Sequence, residues 1–140
     1  MQAGHAESVD DAFTRLIGQG GPAYVPRTGL DPIAAIRAIR AAGGLASLAH
    51  FYEAPQREPL IRQLMDEGLN ALETHHRSFY PETREAMSAL AKQLGLIETG
   101  GSDYHGDHGP YAETHATLVV PDWLVDGVLA ALAEGRTARR

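Results

Sequence analysis

The sequence predicts an α/β fold with parallel strands joined by crossover helices, and three observations carry that expectation. Short apolar runs and amphipathic helical stretches alternate from Asp31 to the C-terminal region. Connections of a few residues separate them, as crossover units require. Several of the apolar runs end in histidine or aspartate, and parallel strands place all such ends on one edge.

The first stretch, Ser8 to Ile17, reads as a short helix capped by Ser8, with Ala12, Phe13, Leu16 and Ile17 on one face. Gly18-Gln19-Gly20-Gly21-Pro22 breaks it, and Ala23 to Pro26 reads as extended. Asp31 then caps a helix with Pro32 at its first position. Ile33, Ile36 and Ile39 recur at helical spacing up to the glycine stop Gly43-Gly44. A strand over Leu45–Ala49 follows, then a helix from about Gln56 to Glu67 ended by Gly68. The strand Leu69–Thr74 precedes a third helix from Pro81 to Leu94. The strand Leu96–Thr99, a last strand His115–Val120 and a closing helix Pro121–Ala133 complete the pattern.

Composition narrows the chemistry. The 140 residues carry 12 Lys and Arg against 18 Asp and Glu, a net charge of −6. That balance disfavours a broad electrostatic grip on nucleic acid or anionic membrane, but leaves room for a local phosphate site. There is no cysteine, so disulfides and thiolate metal sites are excluded and any ion must be held by imidazole and carboxylate. Met1 to Val9 lacks the apolar core of a signal peptide, and no run approaches a membrane span, so a cytoplasmic setting is expected.

The strongest chemical signal is Gly100-Gly101-Ser102-Asp103-Tyr104-His105-Gly106, following the apolar stretch Leu94 to Ile97. An Asp-x-His pair on a glycine-flanked turn suits zinc, manganese or iron, and period-two alternation aims both side chains to one side. Alternatively, Asp103 caps a backbone group and His105 is solvated. His50 closes the run Leu45 to Ala49 on the same edge, as a third ligand or as a hydrogen-bonded interface residue. His75 and His76 are adjacent, so at most one faces a site. His76 with Arg77 is a candidate substrate or phosphate contact. Arg57 lies near a helix start that favours phosphate, or is simply solvated. Glu73 is a candidate partner behind the ligands, or a carboxylate satisfied by the edge of a neighbouring strand. His108 reads as a loop residue, His115 as structural and His5 as inert.

Ser47-Leu48-Ala49-His50, Leu72-Glu73-Thr74-His75-His76 and the Gly-Ser-Asp-x-His turn together resemble the polymerase and histidinol phosphatase (PHP) superfamily of metal-dependent phosphoesterases. The group most similar is that of tryptophan-operon-associated phosphoesterases and nucleoside 3′,5′-bisphosphate phosphatases. The resemblance covers about Ser8 to Ala133. It implies the C-terminal half of a distorted (β/α)7-type barrel, residues 29–140, preceded by residues 1–28 as the end of an inserted helical segment. It further implies up to three divalent ions (Mn, Zn, Fe or Mg), with His50, Asp103 and His105 as ligands. Asp103 and His105 would then serve catalysis, with a small phosphorylated substrate, a nucleotide or an RNA 5′ end as partner.

This sequence departs from that family in lacking a His-x-His motif and further acidic and histidine ligands before His50, and in carrying Phe51 where many members have proline. Those departures predict weak or absent metal binding and little turnover by this chain alone, and an exposed strand edge through which two copies could form a homodimer. A non-catalytic remnant acting as a binding or regulatory module is the second expectation. A two-histidine, one-carboxylate iron protein is the third.

Overall fold

The computed structural model describes residues 4–26, 28–104 and 120–137. Backbone contacts divide the chain into two units, Met1–Leu30 and Asp31–Arg140.

In the first unit, Ser8 caps α1 (Val9–Ala12) by accepting from the Asp11 backbone N–H at 3.0 Å. The helix widens at once into a π-turn, Phe13–Ile17, rather than continuing as the single α-helix expected. Arg15 and Asp11 pair at i,i+4 (Nη2 to Oδ2, 2.7 Å), and that hydrogen bond, with one from the Glu7 N–H, lowers the Asp11 carboxyl to about 2. Val9, Phe13 and Ile17 are exposed.

The second unit holds a three-stranded parallel sheet in the order β1-β2-β3, formed by Ser47–Leu48, Ala71–His76 and Ile97–Gly101. Helices α2 (Pro32–Ala41), α3 (Glu58–Asp66) and α4 (Pro81–Leu94) alternate with the strands, and α5 (Asp122–Thr137) packs on β3. Local chemistry fixes their ends. The Asp31 carboxylate accepts from the Ala34 N–H at 2.8 Å ahead of Pro32, and Pro81 occupies the first turn of α4. Gly95, at φ 68°, closes α4 in the left-handed region where glycine meets no Cβ penalty.

The core lies between these helices and one face of the sheet. Ile36, Ile61, Leu64, Leu69, Leu72, Met87, Leu90, Ala91 and Leu96 form one buried cluster, joined by Ala54 and Phe79. Each fully buried large side chain there contributes about 1.5–3 kcal/mol relative to exposure. The helical periodicity thus reports the core correctly, with two exceptions. Ile33, Ile39 and Leu60 stay about two fifths exposed (39%, 41% and 37%), and of the apolar residues Trp123, Leu124, Val128, Leu129 and Leu132 that recur at helical spacing on α5 only Leu124 is buried.

Several boundaries differ from the sequence reading. Of the first expected strand only Ser47 and Leu48 form β1, although the Ala46 carbonyl also accepts from the Asn70 and Ala71 N–H groups at 3.2 and 3.0 Å. The helix expected from Gln56 begins instead as a 3-10 turn, Ala54–Arg57, with α3 starting at Glu58. Strand β2 runs two residues further than expected, through His76, and β3 runs to Gly101. The expected strand His115–Val120 lies outside the described residues except for Val120, as do His105, His108 and His115.

Candidate metal centre

The second strand carries a β-bulge, and that bulge builds the site. Its register on β3 is regular from Ala71 to Glu73, opposite Ile97 to Thr99, then shifts so that His75 faces Gly100 and His76 faces Gly101. Strict alternation would put Glu73 and His75 on one side of the sheet. The extra residue, Thr74, resets the phase, so Glu73 and His76 share a side and His75 turns to the other. Thr74 is fully buried, with its hydroxyl 2.9 Å from His75 Nδ1 and 3.5 Å from the Thr99 carbonyl. Gly100 is needed here for space rather than for a turn. A Cβ at that position would lie 2.6 Å from the His75 carbonyl oxygen and 2.8 Å from the His75 Cβ.

Three side chains converge at the C-terminal edge of the sheet. One donor atom from each of His50, His76 and Asp103 lies within 4.8 Å of the other two. His50 Nε2 is 3.6 Å from Asp103 Oδ1, and His76 Nε2 is 3.9 Å from Asp103 Oδ2. The two imidazoles lie 4.6 Å apart between centroids, tilted by 33°. Arg77 Nη2 stands 3.6 Å from Asp103 Oδ2.

The backbone is bent to achieve this. His50 (φ 58°) and Asp103 (φ 53°) are the only non-glycine residues at positive φ among those described. Each such conformation costs on the order of 1–3 kcal/mol, and such residues cluster at functional sites. Period-two alternation is therefore not what aims Asp103. Strand β3 stops at Gly101, and a left-handed turn carries the carboxylate back over the strand ends.

The surroundings hold the donors in place. Glu73, almost fully buried, accepts the His50 backbone N–H at 2.7 Å, which ties β2 to the strained turn after β1. Ser78 grips the His76 ring, with Oγ 2.7 Å and its backbone N–H 3.3 Å from Nδ1. Nδ1 is thus engaged, while Nε2 is buried and makes no hydrogen bond to the described residues. Burial is the largest influence on His76 and lowers its pKa. Glu73 and Asp103 act in the opposite sense, and His50 and Arg77 reinforce the lowering. A neutral imidazole is the form that binds metal. Two nitrogens and a carboxylate around one gap, one of them a buried nitrogen without a hydrogen-bond partner, fit a divalent cation of the zinc, manganese or iron type.

Other expected residues stand elsewhere. Arg57, the last residue of the 3-10 turn, pairs with Glu53 at 3.5 Å on the surface and is not one of the three clustered donors. His75 points into a groove with Trp123, whose ring meets it edge-on at 5.6 Å. Tyr104 is partly exposed. The sequence reading placed His76 with the substrate contacts, whereas the structure brings it to the donors. The signal that could have found it was the Glu73–His76 interval, legible only with a bulge assumed.

No family profile matches the chain. The chain is 30% identical over 132 residues to the 5′-3′ exoribonuclease Rnm of Escherichia coli, covering 91% of this chain and 43% of that protein. It is also 30% identical over 109 residues to a 5′-3′ exoribonuclease of Haemophilus influenzae, covering 75% and 40%. A phosphoribosyl 1,2-cyclic phosphate 1,2-diphosphodiesterase of Eggerthella lenta is 35% identical over 80 residues, covering 57% and 30%. The chain therefore spans about two fifths of the length of the exoribonucleases it matches. Among solved structures, one ascribed to a metal-dependent phosphoesterase of Bifidobacterium adolescentis superimposes with a TM-score of 0.73 at 30% identity, over 93% of this chain and 46% of that one. An amidohydrolase of Chromobacterium violaceum, at 23% identity and a TM-score of 0.60 over 84% and 48%, shares the fold.

Proposed function

The chain belongs to the polymerase and histidinol phosphatase superfamily of metal-dependent phosphoesterases, and from that premise we propose that its strand-end cluster serves hydrolysis of a phosphate ester on a nucleotide or an RNA 5′ end. The observation that carries the proposal is the convergence of His50, His76 and Asp103 within 4.8 Å at the edge where parallel strands end. On this reading those three side chains hold a divalent ion, with His105 as the further ligand that the resemblance implies. A bound ion would polarise the phosphoryl oxygen and activate water. The chain's own part is to present the donors already oriented. Glu73 fixes the His50 turn, Ser78 fixes the His76 ring, and Arg77 stands beside Asp103, placed to meet phosphate oxygens.

The sequence reading paired His76 with Arg77 as a substrate or phosphate contact, and the geometry favours His76 as a metal donor. Arg57, at the end of the 3-10 turn ahead of α3, stays a candidate phosphate contact on this reading. The described donors amount to one cluster, so slow turnover by these 140 residues alone forms part of the proposal. So do pairing of two copies along the outer strands and a cytoplasmic setting. No helix among the described residues is long and apolar enough to cross a membrane.

The test is equilibrium dialysis of the chain against Mn2+ or Zn2+ with elemental analysis, alongside phosphate release from a nucleoside 5′-monophosphate. The expected result is a bound ion that His50→Ala and Asp103→Ala each release, with slow hydrolysis that the same variants abolish. Absence of a bound ion, or an ion retained by both variants, would defeat the proposal.

A further inference from the structure

The bulge that aims His76 at the donors turns His75 to the other side of the sheet, where it lines a groove of about 410 Å3. Arg84, Ser88 and Lys92, four residues apart on one face of α4, line the same groove, and Trp123 joins them from the first turn of α5. His75 is the neighbour they share. Its ring meets the Trp123 ring edge-on at 5.6 Å, and it lies close enough to Arg84 and Lys92 to feel both charges.

Charge in the groove is unmatched at one point. The Ser88 hydroxyl donates to Glu98 Oε2 and Lys92 Nζ stands 4.0 Å from Glu98 Oε1, so that largely buried carboxylate is already served. Arg84 is not. Its Nη2 donates to the His76 carbonyl at 3.3 Å, its Nε is buried without an acceptor, and it forms no ion pair among the described residues. A guanidinium carries five donors, and drawing it partly out of water with no counter-charge costs free energy that a bound anion recovers. Trp123, meanwhile, leaves 51% of its surface exposed in the same recess. A doubly charged phosphate suits this place poorly, because Glu85 also lines the groove and Glu98 lies beside Lys92. A single carboxylate matches the one unmatched cation, and its plane fits the guanidinium fork. The volume falls within the roughly 300–1,000 Å3 of small-ligand pockets.

We infer that this groove is a second ligand site, separate from the metal centre, which binds an aromatic carboxylate with Arg84 on the carboxylate and the Trp123 indole against the ring. Aromatic pairs add to area burial, and a charge-assisted bond to arginine is about twice as strong as a neutral one. The site needs neither a metal ion nor a phosphate ester, so it stands or falls apart from the phosphoesterase reading.

The test follows the indole N–H signal of Trp123, the one tryptophan of the chain, in the 15N–1H spectrum of the metal-free protein. Benzoate should shift it saturably, and bind about tenfold more tightly than acetate, which lacks the ring, or benzyl alcohol, which lacks the charge. Arg84→Gln should bring benzoate down to the affinity of benzyl alcohol and leave benzyl alcohol unchanged. Trp123→Leu, read at the Ser88 and Ala89 amide signals, should bring benzoate down towards acetate. A shift that does not saturate, or equal affinity for benzoate and benzyl alcohol, overturns the site in the unaltered chain, whatever the variants do. So does a benzoate affinity that Arg84→Gln leaves intact. Inorganic phosphate binding as tightly as benzoate overturns the carboxylate assignment.

Discussion

His50 and Asp103, 53 residues apart in the chain, both adopt a left-handed backbone, and their side chains meet at 3.6 Å. Two strained turns at the ends of different strands thus point at one gap. Strain of this kind persists only where surrounding bonds over-determine it. Here the bond from the His50 N–H to Glu73 supplies one such restraint.

Replacements at Asp103 should separate the backbone's need from the ion's. Aspartate and asparagine tolerate the left-handed region, whereas a β-branched residue does not. Asp103→Asn should leave urea stability within about 0.5 kcal/mol, and Asp103→Val should lower it by about 1–2 kcal/mol. Both should lose the ion. A valine variant as stable as the asparagine variant would show that the turn carries no strain.

Gly100 should resist even the smallest side chain. A Cβ there would sit 2.6 Å from a backbone oxygen, which cannot rotate away as a flexible side chain can. Gly100→Ala should therefore cost about 1–3 kcal/mol and displace the bulge that aims His76. Denaturation together with a 15N–1H spectrum would read both effects. Unshifted His75 and His76 amide signals would contradict this account of the bulge.

Ser78 should couple to metal binding through the His76 proton. Its backbone N–H can only donate, so with Nδ1 accepting, a neutral ring carries its proton on Nε2. Ligation through Nε2 requires that proton on Nδ1, where Ser78 Oγ, 2.7 Å away, can accept it. Adding Zn2+ should thus switch the 15N signature of His76 from the Nε2–H to the Nδ1–H tautomer. Ser78→Ala should weaken metal affinity by about tenfold or more. An Nε2–H tautomer that survives saturation with metal would remove His76 from the ligand set.

The pH dependence has a definite sign. Burial holds His75 and His76 below the ordinary value of 6.5. For His75, Arg84 and Lys92 add to the lowering and Glu98 opposes it. Between the lowered folded values and 6.5 the unfolded chain binds more protons than the folded one, so acid favours unfolding. Their contribution is whole above 6.5 and is lost as pH falls through the folded values. Urea midpoints of the metal-free chain should therefore fall from about pH 8 to about pH 5, and less steeply in His75→Gln and His76→Gln. An identical slope in both variants would assign the acid sensitivity to the carboxylates.

Much of this molecule is written locally. The alternation of helix and strand, the Asp31 and Ser8 caps, the glycine stop at Gly95 and the core positions Ile36, Ile61, Leu64, Met87 and Leu90 follow from periodicity and capping chemistry, which act over a few residues. So does the placement of His50 and Asp103 on one edge, since parallel strands end together. What the sequence could not decide depends on contacts between strands. The phase of β2 is reset by a bulge whose cause lies in its pairing with β3, and that shift alone chooses His76 over His75. The short β1 and the left-handed turns at His50 and Asp103 likewise arise because distant partners hold the backbone where its own preferences would not leave it.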